Sequence, residues 1–224
     1  HLALRQSFES IKNILNMRRL HILLLAIAAL AISGCASAPQ REKYPYTYIG
    51  GLKLVYAYLD DNQYNRRYKL PAPMAKIKTV TIHNTAGYIS AMEERDRVNN
   101  LRNNASVSFH FAVDEDKAVQ LVPLNIHTWH AGDGAKGEGN LYSISIEICR
   151  SLCEGEKEQL YRRAEENAAI LAAHLLDANN LTISALRKHQ DWSGKNCPHR
   201  ILGENRWEDF KSRVAEKMQK KDVF

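Results

Sequence analysis

Residues 142–178 have the sequence YSISIEICRSLCEGEKEQLYRRAEENAAILAAHLLDA, and the hydrophobic period changes along it. Residues 142–148 alternate isoleucine with serine or glutamate, which predicts a β-strand. Residues 158–178 are rich in alanine, leucine and glutamate, which predicts a long helix that ends at Asn179 and Asn180. A strand and a long helix in succession favour a central sheet with helices packed on its faces.

The flanking sequence continues this mixture of strands and helices. The patterns predict strands at residues 77–83, 107–113 and 118–122, with a turn at 114–117. They predict helices at 90–103, capped by Ser90, and at 205–220. Weaker patterns predict an edge strand at 52–59, a loop at 60–69, and a short helix or strand at 183–189. The predicted class is therefore α/β, with a central sheet flanked by helices.

Composition limits the classes of protein that fit. The chain has 224 residues, of which 45% are hydrophobic and 25% charged, as in soluble globular proteins. This excludes a polytopic membrane protein, a disordered chain and a fibrous repeat. The net charge is +6, and residues 1–34 contain four basic side chains and one acidic side chain. The charge of +3 left for the remainder is a weak argument for nucleic-acid binding but suits an anionic cell-wall polymer.

The beginning of the chain resembles an export signal. Met17 is followed by Arg18 and Arg19 and by an apolar run at residues 22–32, which is about half of the ~20 residues that a membrane-spanning helix needs. A buried helix or a short membrane anchor is the alternative. Residues 32–35, Ile-Ser-Gly-Cys, resemble the bacterial lipobox, which predicts cleavage before Cys35 and lipidation of its thiol.

These patterns predict four segments: an upstream extension at 1–16, a lipoprotein signal peptide at 17–34, a lipidated tether at 35–51 and the main folded domain at 52–224. Ala36 is not the acidic residue associated with inner-membrane retention. We therefore expect a lipoprotein held through Cys35 in an outer membrane facing the periplasm, or otherwise in the cell membrane.

Metal-ligand residues lie near the ends of the predicted elements. His83 closes a predicted strand, and His189 and Cys197 flank a loop that contains Gly194. Two imidazoles and one thiolate leave the fourth tetrahedral position of a zinc ion open, as in catalytic zinc sites. His83 alone is more simply a polar residue at a strand end.

Two further residues are suited to hydrolysis beside such a metal. Glu147 lies on the serine face of an isoleucine-rich strand, where it either faces solvent or reaches a cleft and accepts a proton from water. Lys195 precedes Cys197 by two residues and is either a solvated loop lysine or a cation that stabilises an oxyanion.

Several stretches together resemble one family. The stretches VTIHNT (80–85), VSFHFAVDEDKAVQLVP (107–123) and HQDWSGKNCPHRIL (189–202) are similar to the zinc-dependent N-acetylmuramoyl-L-alanine amidases of the amidase-2 class. The likeness covers about residues 77–210 and is greatest to catalytic domains of phage endolysins and bacterial autolysins; peptidoglycan recognition proteins are more distant relatives. It implies a mixed β-sheet flanked by helices, with zinc in a groove at one face.

The resemblance also implies roles for individual residues. His83, His189 and Cys197 would bind Zn²⁺, Glu147 would be the catalytic acid and base, and Lys195 would stabilise the oxyanion. The implied reaction is hydrolysis of the amide between N-acetylmuramic acid and L-alanine, and the implied partner is peptidoglycan. The alternative is a peptidoglycan-binding module without turnover, against which the intact set of five residues argues.

Other residues have a functional and a structural interpretation. Possible substrate contacts, each with a structural role as the alternative, are Asn84, Thr85, Trp129, His130 and Trp192. His110 is expected to be a packed structural residue. Cys149 and Cys153 either form a small-loop disulfide or remain free buried thiols, and the free thiols are slightly favoured. We expect a monomer with no nucleic-acid partner.

Overall fold

The structure is a computed structural model and describes residues 43–100 and 106–220. The predicted leader lies outside this range, as do residues 35–42 of the predicted tether, which include Cys35. Contacts between residues divide the chain into two compact units, with the boundary after Lys43. All described helices and strands belong to the unit Tyr44–Phe224. None of the helices within the described ranges is long and apolar enough to cross a membrane.

The core of the fold is one seven-stranded mixed sheet. Its strand order is β1-β2-β5-β4-β6-β3-β7. The pairs β1/β2 and β4/β5 are antiparallel, and the other four neighbouring pairs are parallel. The strands are β1 (Tyr46–Ile49), β2 (Leu52–Tyr56), β3 (Thr79–Asn84), β4 (Phe111–Val113), β5 (Lys117–Gln120), β6 (Ser143–Ile148) and β7 (Leu186–Lys188).

Helices connect these strands and cover the sheet. Two 3-10 turns, Gly155–Lys157 and Ile183–Ala185, precede α4 and β7. The α-helices are α1 (Gln63–Tyr68), α2 (Ala91–Asn99), α3 (Glu138–Tyr142), α4 (Glu158–Ala178), α5 (Gln190–Ser193), α6 (His199–Gly203) and α7 (Trp207–Gln219).

The central strands β3 and β6 have one apolar and one polar face. Their apolar residues are fully buried in the main hydrophobic cluster with alanines and leucines of α4 and with Phe210 and Val214 of α7. The opposite face carries buried hydroxyl groups, a buried histidine and the half-buried Glu147. Thr81 Oγ1 lies 2.6 Å from Ser143 Oγ, so these buried hydroxyls are satisfied by each other. His83 and Glu147 lie on this polar face, near the carboxyl ends of β3 and β6.

A second apolar cluster lies beside the β2–β5–β4 part of the sheet. It contains Val55, Val119 and Leu121 together with Val98 of α2. Helix α2 begins with the predicted cap: the Ser90 hydroxyl accepts from the Glu93 backbone, and the Glu93 carboxylate accepts from the Ser90 backbone. This capping box satisfies donors that the first helical turn leaves unpaired.

The predicted α/β class, a central sheet flanked by helices, is confirmed. Three local predictions are wrong. Residues 60–69 are not simply a loop, because Asn62 caps the six-residue helix α1. Strand β2 is not at the edge, since β1 pairs with its outer side and lies within the segment predicted as a tether. Residues 183–189 contain both a 3-10 turn and β7, where one element was expected. Such short elements depend on tertiary pairing more than on a local period.

Candidate metal site and catalytic cleft

Three neighbouring parallel strands end at the site. β3 lies between β6 and β7, and its pairing with β6 places His83 directly beside Glu147. His189 follows β7, and its backbone N–H donates to the Ile82 carbonyl. Because the carboxyl ends of parallel strands meet at one edge of a sheet, these residues come together there.

The loop after α5 returns Cys197 to the same place. Gly194 ends α5 with a φ of +73°, a left-handed conformation that glycine adopts without strain. The Gln190 backbone N–H then donates to the Cys197 carbonyl over 3.0 Å, which closes the loop. The Cys197 Sγ accepts from the Asn84 backbone N–H at 3.4 Å.

The potential ligand atoms of His83, His189 and Cys197 lie within 4.8 Å of one another, and all three residues are buried. The two Nδ1 atoms are 2.9 Å apart, and Cys197 Sγ is 3.8 Å from His83 Nδ1. This group could hold a metal ion, as the sequence predicts. Two imidazole nitrogens and a sulfur are a donor set that suits zinc better than magnesium or calcium.

Burial shifts the pKa values of His83 and Cys197 and so determines their protonation states. Burial lowers the pKa of His83 well below its ordinary value, and the neighbouring His130 and His189 lower it further. The imidazole is therefore neutral, the form that binds metals. Burial and then the nearby Glu147 raise the pKa of the Cys197 thiol to about 12. A bound cation would favour the thiolate at this position.

Glu147 faces the same group. Its Oε1 is 3.9 Å from His83 Nδ1, and its Oε2 is buried without a hydrogen-bond partner within the described part of the chain. Burial and the Glu94 carboxylate raise the pKa of Glu147 to about 8, whereas Lys195 and Arg97 act in the opposite direction. A buried, unpaired carboxylate oxygen beside potential metal ligands is suited to accepting a proton from water.

The group opens into a cleft of about 540 Å³. Glu147, His189 and Cys197 line it together with the exposed Lys195. Of the residues predicted as substrate contacts, Asn84, Trp129 and His130 also line the cleft.

Two predicted substrate contacts are absent from the lining, and a third has structural partners. Trp192 Nε1 donates to Thr81 Oγ1 at 2.9 Å, which attaches the indole to the polar face of the sheet. Thr85 is half-buried, and its hydroxyl donates to the Ile148 carbonyl at 3.5 Å. The Asn84 side-chain oxygen accepts from the Arg200 backbone N–H, so this residue also secures α6.

His110 lies in the polar layer beneath the cleft. Its Nδ1 is 3.0 Å from Ser145 Oγ, and its Nε2 is 3.0 Å from the Ile126 carbonyl, consistent with the predicted packed role. Cys149 and Cys153 are free buried thiols, which agrees with the favoured alternative.

Sequence reasoning assigned no role to Glu94 or Asn140. Glu94 is buried on α2, and its charge acts on Glu147. Asn140 connects the two ends of the segment 130–140. The contacts of Asn140 are with residues six to ten positions earlier, in an irregular segment without a helical or strand period, whereas Glu94 acts on a residue of another element.

Comparison with known proteins identifies similar sequences. Residues 73–200 match the Amidase_2 family model, described as N-acetylmuramoyl-L-alanine amidase. N-acetylmuramoyl-L-alanine amidase CwlA of Bacillus subtilis is 45% identical over 152 residues, which cover 68% of this chain and 54% of that protein. Its counterpart XlyB, from the same species, is 45% identical over 153 residues, covering 68% and 47%. The chain thus spans about half the length of these curated relatives.

Solved structures show the same fold. The structure of PlyL is 40% identical, with a TM-score of 0.64, and the match covers 71% of this chain and 94% of that one. The solution structure of the PlyG catalytic domain is 39% identical, with a TM-score of 0.66, covering 76% and 98%.

These comparisons correct the predicted location, an exported lipoprotein held in a membrane through Cys35. The similarity is to Bacillus amidases and to PlyL, none of which is described as a lipoprotein. The prediction depended on the leader-like and lipobox-like patterns of residues 17–36, and such short patterns recur by chance far more readily than a similarity over 152 residues. The predicted location is therefore wrong.

Proposed function

Because this chain belongs to the amidase-2 family of N-acetylmuramoyl-L-alanine amidases, we propose that it is a zinc-dependent amidase acting on peptidoglycan. It hydrolyses the amide between N-acetylmuramic acid and the L-alanine of the stem peptide. The observation that carries the proposal is the convergence of His83, His189 and Cys197 beside the unpaired carboxylate oxygen of Glu147.

The residues of the site fit a zinc ion. His83 and His189 would supply neutral imidazoles and Cys197, once deprotonated, a thiolate, three ligands that would leave one position open. When bound, zinc supplies Lewis-acid chemistry, lowering the pKa of water toward ~7 and polarising a carbonyl group.

The chain's own side chains handle the proton and the developing charge. Glu147 takes a proton from the water that attacks the carbonyl carbon and returns it to the departing amine of alanine. The Lys195 ammonium, at the edge of the cleft, stabilises the negative charge on the carbonyl oxygen. Trp129 and Asn84 line the same cleft and are candidates to contact the substrate.

The decisive experiment uses the full chain on purified peptidoglycan, with zinc, with a chelator, and with zinc restored. Mass spectrometry should find peptides with free L-alanine amino groups and uncut glycan strands. The chelator should abolish this release and added zinc should restore it. Binding to peptidoglycan without cleavage would instead indicate a recognition module.

Substitution of Glu147 tests the assignment of the base. Glu147→Gln keeps the shape of the side chain but removes the proton acceptor, so the rate should fall by about 10²–10⁴-fold. Zinc content should stay at the wild-type level. The control is Glu156→Gln, at an exposed position in a 3-10 turn, which should leave the rate unchanged. Full activity of Glu147→Gln would exclude Glu147 as the base.

We also infer that the catalytic domain predicted at 52–224 begins earlier, at Tyr44, because β1 pairs with β2, and that the protein acts as a monomer. The potential metal ligands and Glu147 all lie at the carboxyl ends of neighbouring strands and in the loops that follow them. One chain therefore supplies the whole group. Light scattering of the zinc-loaded protein would measure the mass. A dimer at assay concentrations would contradict the monomer.

A further inference from the structure

Hydrogen bonds hold both ends of the segment from His130 to Asn140, which contributes to the lining of the cleft. Asn140 Oδ1 accepts from the backbone N–H groups of His130 at 2.9 Å and Ala131 at 2.8 Å. Asn140 Nδ2 donates to the Gly134 carbonyl at 3.1 Å, and Asp133 Oδ2 accepts from the Gly139 N–H at 2.7 Å. This buried network holds the backbone on both sides of His130 in one arrangement.

The His130 side chain connects this segment to His83. Its Nε2 is 3.0 Å from the Gly139 carbonyl oxygen, and its Nδ1 is 3.0 Å from His83 Nε2. A carbonyl oxygen only accepts, so His130 Nε2 must carry the proton. Both imidazoles are buried, and burial of an imidazole beside another imidazole favours the neutral ring. His130 Nδ1 is therefore an acceptor, and His83 Nε2 must donate to it.

This chain of hydrogen bonds leaves His83 Nδ1 without a proton. That nitrogen is the one directed at His189 Nδ1 and Cys197 Sγ. The same segment reaches the second imidazole, because His189 hydrogen-bonds the backbone of Ala131. Both histidines of the group thus form hydrogen bonds with residues 130–131. In metal sites, such hydrogen bonds fix the tautomer and the ring orientation of the ligands.

We propose that His130 is a positioning residue: held by Asn140, it keeps His83 in the Nε2–H tautomer, so that Nδ1 is the atom presented to the metal. This inference rests on the proposed zinc site. It assigns His130 to the support of His83, not to the substrate contact that the family resemblance suggests.

The tautomer can be measured directly in the metal-free full chain by ¹⁵N NMR of the histidine rings, with His83 assigned from a His83→Gln spectrum. His83 Nε2 should be protonated and Nδ1 unprotonated. In His130→Leu, which removes the acceptor, the Nε2–H preference should weaken. A wild-type spectrum showing His83 protonated at Nδ1 would overturn the proposal.

Zinc affinity, measured by competition with a chromophoric chelator, gives a second readout. His130→Leu should bind zinc about 10–100-fold more weakly, the usual effect of losing a partner behind a ligand. His130→Asn places an amide oxygen near the position of Nδ1 and should recover most of this loss. The matched control is His127→Leu, because His127 is equally buried but packs on Trp129. It should bind zinc like the wild type.

The outcomes separate the two proposals. A wild-type chain that binds no zinc would end the proposed metal site. A wild-type chain that binds zinc, with His130→Leu binding equally well, would overturn only the role of His130. If His130→Leu does not fold, His130→Asn decides, and a tenfold or larger loss in that variant counts against the proposal.

Discussion

Lys195 differs from the potential metal ligands and Glu147 because its side chain is exposed while theirs are buried or half-buried. Its ammonium lies near enough to lower the pKa of His83 and to oppose the burial that raises the pKa of Glu147. An exposed lysine contributes little to folding, so its effect on the reaction can be measured separately from stability.

We expect Lys195→Ala to reduce kcat by about 10²–10³-fold, the usual effect of removing one oxyanion donor. Stability should stay within about 0.5 kcal/mol of the wild type, as for most surface changes. The control is Lys76→Ala, at an exposed lysine in the loop before β3, which should leave both quantities unchanged. Steady-state release of amines and a thermal melt check this. A matching loss of stability would argue for a structural role.

At the scale of elements, helix α4 determines how closely the sheet is covered. Its buried face includes Ala164, Ala168, Ala169 and Ala172, all without solvent exposure. Small side chains let the helix backbone approach the isoleucines of β6 with little space between them. Since β6 carries Glu147, displacement of α4 would also disturb the cleft.

Ala168→Leu should therefore reduce the free energy of unfolding by about 1–3 kcal/mol through overpacking. Ala178→Leu, at an exposed position at the end of the same helix, is the matched control. Alanine and leucine have similar helix propensities, so the control should stay within about 0.5 kcal/mol. Denaturant titration measures both. Equal losses in the two variants would contradict close packing at Ala168.

At the scale of the whole molecule, charged groups join the helices that follow the site to α4. Glu204, just after α6, accepts from Arg162 of α4 and from Arg200 and Arg206. Glu165 of α4 accepts in turn from Arg206 and from Arg213 of α7. Burial raises the pKa of Glu204, but its hydrogen bonds to the three arginines outweigh this and lower it from 4.5 to about 2.

This shift predicts a loss of stability in acid. Between pH 4.5 and about 2 the unfolded chain binds a proton at Glu204 while the folded chain does not, so falling pH favours unfolding. Glu204→Gln should lower Tm at neutral pH and flatten its decline through this window. Glu154→Gln, an exposed residue without a cap hydrogen bond, should decline like the wild type. Calorimetry at a series of pH values would show this, and parallel curves for wild type and Glu204→Gln would contradict it.

The sequence predicted the long elements and the residue types of the site well. The 21-residue helix α4 and the alternating strand β6 each contain a period that is visible over many residues. The six-residue helix α1 and the four-residue strand β1 contain too few residues to show one. No local sequence pattern indicates that β1 pairs with the outer side of β2.

The sequence by itself determined the two faces of β6 and the presence of two imidazoles, a thiol and a carboxylate at the ends of elements, because periodicity and side-chain chemistry are local properties. Only the tertiary structure decided that β3 lies between β6 and β7, which puts His83 beside Glu147 and next to His189. It also decided that His130 lies behind His83, 47 residues away along the chain. Strand order, register and the partners of buried polar atoms depend on contacts between distant segments, which no local pattern records.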